Sequence, residues 1–121
     1  MLKRRMIPYI KDEEELYREL EEAKERVVLV CLTSKFNQSC VQMDTSVEEQ
    51  SNEFKNILFF KVDVEDVESN SLVERCAPEV MPLFIFFQKG KEIDRVRGAN
   101  EDELRSKVEK YSTMFELKNL P

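Results

Sequence analysis

The chain contains no histidine and no tryptophan, and only two glycines and three cysteines among 121 residues. Without histidine, His-based catalytic triads and most zinc sites cannot be built from this chain alone. Cys31, Cys40 and Cys76 are an odd number and make no disulfide framework. No apolar run approaches the roughly 18 residues of a membrane-spanning helix. Basic charge is also short: 19 Lys and Arg against 25 Asp and Glu give a net charge of −6. Beyond Lys3-Arg4-Arg5 there is no basic patch, which argues against nucleic acid and against anionic membrane surfaces. The start, Met-Leu-Lys-Arg-Arg, turns polar and acidic and has no signal-peptide core. The expected location is the cytoplasm, where thiols stay reduced. Neither a metal nor a cofactor is expected, and the expected partners are proteins.

What is present is enough apolar material for one core. Hydrophobic residues make up 41% of the chain, and a chain of this size buries roughly 65% of its unfolded surface. The centre of the pattern is Val27-Val28-Leu29-Val30-Cys31-Leu32-Thr33-Ser34, nearly all apolar or β-branched. Such a run reads as a strand buried on both faces. Lys35-Phe36-Asn37-Gln38-Ser39-Cys40 follows at once, and Asn37 or Ser39 can cap a helix beginning there. A buried strand feeding a helix N-terminus is where backbone N–H groups and the helix dipole converge.

The rest of the chain alternates. Met6–Ile10 holds a proline and suits an edge strand. Asp12–Glu25 reads as a helix with an acidic first turn and a Leu16, Leu20, Ala23 stripe. Met43, Val47, Gln50 and Phe54 share one helical face, and Ile57–Val64 is a second apolar strand. Ser69–Cys76 is a short helix stopped before Pro78. Leu83–Phe87 and Glu92–Arg97 form a hairpin across Gln88-Lys89-Gly90-Lys91. Asn100 with Glu103 marks a capping box, and Leu104, Val108, Tyr111 and Phe115 continue as a helical stripe. The order βαβαβαββα predicts an α/β fold: a mixed five-stranded sheet with two helices on each face. Residues 1–5 read as a basic extension, 6–111 as the domain, and 112–121 as an apolar tail that continues the last helix.

Four features together resemble the thioredoxin family over about Met6 to Tyr111. They are the strand Val27–Leu32 leading through Phe36 to a four-residue loop ending in Cys40; the strand Phe59–Val64; Met81-Pro82-Leu83-Phe84, like the family's Met-Pro-Thr-Phe segment with its cis-proline; and Lys89-Gly90 with Gly98-Ala99-Asn100. The resemblance implies a thioredoxin fold and a peptide groove bordered by Phe36, Val80, Met81, Pro82, Gly98 and Ala99. The family signature is Trp-Cys-Gly-Pro-Cys, where this chain has Phe36-Asn37-Gln38-Ser39-Cys40. Aligned on Cys40, Asn37 stands where the resemblance places the nucleophilic cysteine, and Cys31 where it places a buried aspartate. Ser39 and Thr45 replace prolines. An amide is no substitute for a thiolate.

These departures lead to three expectations. The chain is not an enzyme, its oxidoreductase activity being lost with the nucleophile. It serves as a protein-binding or structural subunit of a larger assembly, in the manner of thioredoxin-like dynein light chains or phosducin-like proteins, with a cytoskeletal or ciliary setting among the options. The alternative is a cytosolic monothiol redox protein acting through Cys40. Cys40 itself reads first as a small buried hydrophobe. Cys76 reads as a core residue, and the Asn37-Gln38-Ser39 sequon as coincidence. Met114, Phe115, Leu117 and Leu120 are unusually apolar for a chain terminus and read as a docking surface.

Overall fold

The strand at the centre of the sheet is β1 (Val28–Thr33), with every residue from Val28 to Leu32 buried. The computed structural model describes residues 6–121; the basic segment 1–5, read above as an extension, lies outside the described residues. β1 pairs in parallel with β2 (Leu58–Asp63) and antiparallel with β3 (Leu83–Gln88), which carries the edge strand β4 (Lys91–Arg97). The sheet order is β2-β1-β3-β4.

Among the described residues the sheet has four strands, which corrects the expectation of five. Tyr9 makes only an isolated parallel bridge to Lys61. Lys61 N donates to Pro8 O and Ile10 N donates to Lys61 O, and the pairing goes no further. Pro8 has no N–H to extend it.

Side-chain alternation along β1 splits the core in two. Leu29 and Cys31 face Met43 and Val47 of α2 (Gln38–Glu53) and Leu104, Val108 and Tyr111 of α4 (Glu101–Lys118). Val28, Val30 and Leu32 face Leu16 and Leu20 of α1 (Glu13–Ala23) and Leu72 and Cys76 of α3 (Asn70–Cys76). Each face thus carries two helices. Asp12 caps α1 by accepting from Glu15 N, and the helix stops at Lys24, φ 54°, short of Glu25. The β3–β4 hairpin turns on Lys89 and Gly90, both with positive φ (53° and 77°), as a two-residue turn of this hand requires.

Asn100 caps α4 by accepting from Glu103 N at 3.1 Å. The helix is tied to β4 by Asp94, which accepts from Tyr111 Oη at 2.7 Å and from Lys107 Nζ at 2.9 Å. Past Tyr111, Phe115 is half-buried, while Met114, Leu117 and Leu120 are exposed.

Candidate functional site

β1 ends at Thr33, and the loop beyond is pinned by Ser34. The Ser34 hydroxyl donates to Glu65 Oε1 at 2.9 Å and accepts from Phe36 N at 3.1 Å. The chain therefore turns sharply, leaving Phe36 exposed. Asn37 then caps α2: its Oδ1 accepts from Cys40 N at 3.1 Å. Of the two capping candidates, Asn37 takes the position and Ser39 lies inside the first turn. Asn37 thus has a structural task. Asn37→Ala is expected to cost about 1 kcal/mol, and Asn37→Asp or Ser much less, as measured by thermal unfolding.

Cys40 sits in that first turn, only 3% exposed. Because Leu32 pairs with Leu83, the Met81–Pro82 bond is delivered beside the same junction, and it is cis. A cavity of about 10 Å³ lies behind it, lined by Cys31, Cys40, Asp44, Lys61 and Pro82 among others. On the outer side, Gly98 N donates to Pro82 O at 2.8 Å. A Cβ on Gly98 would meet Val80 Cγ1 at 3.4 Å, and its φ of +80° itself favours glycine. Pro82, Gly98 and Val80 are thus brought together; Val80 and Ala99 are exposed and Met81 half-buried. Gln38 is exposed on the helix. Met114 and Phe115 lie elsewhere, lining a separate cleft of about 300 Å³ with Val27, Gln88 and Tyr111.

Beneath the junction lies a cluster that the sequence reading missed. Lys61, 5% exposed, sits opposite Cys31 in the β1–β2 register. Its Nζ donates to Asp44 Oδ1 at 2.7 Å and to Glu48 Oε2 at 2.5 Å, both on α2. Burial by itself would lower the Lys61 pKa; its hydrogen bonds to the two carboxylates outweigh this and hold it above the ordinary lysine value. Burial pushes the Cys31 thiol far up, Lys61 opposing and Glu48 and Asp44 reinforcing, so Cys31 stays a neutral thiol. Cys76, on the other face of the sheet, is likewise pushed up by burial. All three cysteines are free and buried. The available signals were a lysine inside an apolar strand and two carboxylates four residues apart on one helix.

Among the described residues no group of three or more His, Cys, Asp or Glu side chains could hold a metal ion, and no helix is long and apolar enough to cross a membrane.

A cis-proline beside a helix N-terminus that carries a thiol, on a mixed four-stranded sheet sandwiched between helix pairs, defines a thioredoxin-type α/β protein. The thioredoxin family model matches residues 8–110. A thioredoxin from Geodia cydonium is 30% identical over 106 residues, covering 87% of this chain and 98% of that protein. A thioredoxin from Ictalurus punctatus is 33% identical over 91 residues, 74% of this chain and 83% of that protein. The crystal structure of Fasciola hepatica thioredoxin superposes with a TM-score of 0.82 at 28% identity, covering 87% and 99% of the two chains. The chain belongs to the thioredoxin family.

This similarity overturns the expectation that the chain is not an enzyme. The proteins it matches along most of their length are named thioredoxins, which are oxidoreductases. The expectation rested on the departures at Asn37, Cys31, Ser39 and Thr45; the fold, the cis-proline loop and Cys40 all remain.

Proposed function

We propose that this chain binds an extended segment of a protein partner along the Pro82 loop and carries out thiol–disulfide exchange through Cys40. The observation that carries this reading is a cavity lined by both Cys40 and Pro82. Exposed Phe36 and Val80 border the Pro82 loop with apolar surface.

In the step, the Cys40 sulfur gives up its proton and attacks one sulfur of the partner's disulfide. A Cys40–partner S–S bond forms, the partner's S–S bond breaks, and the departing sulfur leaves as a thiolate that takes up a proton. With asparagine at position 37 and Cys31 held as a neutral thiol, the mixed disulfide persists until an external thiol resolves it. The exchange is thus of the monothiol kind.

A lasting role as a protein-binding subunit of a larger assembly is favoured by a different observation: Met114, Leu117 and Leu120 are 45, 63 and 67% exposed on the last turns of the chain. The test of the main reading is to mix the reduced protein with an unfolded polypeptide bearing a disulfide. A covalent adduct is expected. Phe36→Ser and Met81→Lys should slow its formation about tenfold, equivalent to about 1.4 kcal/mol of lost binding, without slowing modification of Cys40 by a small reagent. Adduct formation unaffected by either change would place binding elsewhere.

A further inference from the structure

A thiol that is only 3% exposed needs a route by which its proton leaves. Four ionisable side chains line the cavity at Cys40: Cys31, Cys40 itself, Asp44 and Lys61. Lys61 is bound to two carboxylates and is already protonated, so it accepts nothing. Cys31 is buried among apolar side chains and keeps its own proton. Glu48 does not line the cavity, and its two oxygens take hydrogen bonds from Ile7 N and from Lys61. Tyr9, whose ring centroid lies 5.9 Å from Lys61 Nζ, is exposed and does not line the cavity. Asp44 alone combines access to the cavity with access to water. It stands one helical turn after Cys40 on α2. Its Oδ1 is fixed by Lys61 at 2.7 Å, and its side chain is 53% exposed.

We infer that the Asp44 carboxylate is the base that takes the Cys40 proton and passes it to solvent, positioned for this by Lys61. The inference rests on the reading of Cys40 as the exchanging thiol. Cys40 is buried and Asp44 lines the same cavity one helical turn along, so the carboxylate gives the proton a way out to solvent. Transfer of the proton as the sulfur attacks is the work of a general base. In the exchange step the Cys40 S–H bond breaks as the new S–S bond forms, and the proton moves to Asp44. It then goes to water or to the departing thiolate.

The test uses a reagent that needs no groove. Methyl methanethiosulfonate converts a thiol to its S-methylthio derivative and releases methanesulfinic acid, and peptide mapping reads the modification at Cys40 alone. Asp44→Asn is expected to slow Cys40 modification at neutral pH by about tenfold or more, within the range of a lost general base. Asp44→Glu should restore most of the rate, and Glu48→Gln should leave it nearly unchanged. Added formate should raise the rate of Asp44→Ala, a rescue that a purely structural role would not show. If Asp44 acted only through its charge, its removal would favour the thiolate and speed the reaction. A faster or unchanged rate in Asp44→Asn, absence of formate rescue, or a Cys40 that does not react in the wild type each overturns the inference. The result also separates from the proposed function. Asp44-dependent modification by the small reagent, with no adduct to a polypeptide disulfide, would sink the latter alone.

Discussion

Cys40→Ser is expected to abolish adduct formation with a disulfide-bearing polypeptide while leaving the protein folded. The loss should be complete, because a serine hydroxyl is not ionised near neutral pH and forms no S–S bond. Neither remaining cysteine can substitute. Cys31 points into the core between β1, α2 and α4, and Cys76 lies on the opposite face with α1. Both thiols are pushed up by burial, so both are poor nucleophiles. The fold should survive because serine is close to cysteine in size and the position lies in a first helical turn capped by Asn37. Burying the hydroxyl should cost about 1–2 kcal/mol unless it finds a partner. Adduct formation at the wild-type rate in Cys40→Ser, measured by intact mass, would show that exchange does not depend on this thiol.

The largest loss of stability outside the apolar core is expected at Lys61. Removing one partner of a buried ionic cluster leaves the others unpaired, and in fully buried cases this costs about 3–5 kcal/mol. Here Asp44 and Glu48 side chains are 53% and 22% exposed, so water screens part of the repulsion. Lys61→Met should therefore cost about 2 kcal/mol, a fall in melting temperature of about 8 °C for a domain of this size. Asp44→Asn should cost far less, since Lys61 keeps Glu48.

The pH dependence has a definite sign. The folded-state pKa of Lys61 is raised, so its contribution is fully present below the unfolded value of about 10.4 and is lost as pH rises through the folded value. Tyr111, whose phenol is pushed up to about 12 by burial and by its hydrogen bond to Asp94, acts in the same direction. The alkaline fall in stability should thus shrink in Lys61→Met without vanishing. Equal melting temperatures for the two proteins at neutral pH would remove the cluster from any role in stability.

The parts of the fold legible in the sequence were those where one local pattern had one reading. Val28–Leu32 is apolar throughout and became the central strand; Gly90 and Gly98 took the positive-φ positions expected of turns, and Met81–Pro82 is cis. The stretch around Tyr9 failed because its apolar content suggested a strand, while Pro8 limits it to one bridge. The Lys61 cluster was hidden for another reason. Asp44 and Glu48 lie 17 and 13 residues before Lys61, and nothing local says that their helix lies across that strand. Asn37 was legible as a cap, and also as a missing thiol. That second reading, by resemblance, was extended to the activity of the whole chain, which the similarity to thioredoxins contradicts.

The most direct measurement is peptide mapping of the adduct formed between the reduced wild-type protein and a disulfide-bearing polypeptide, quenched by acid at early times. The expected result is a single mixed disulfide on Cys40, released by an external thiol. An adduct on Cys31 or Cys76, or none under conditions in which a small reagent modifies Cys40, would contradict thiol–disulfide exchange at the Pro82 loop.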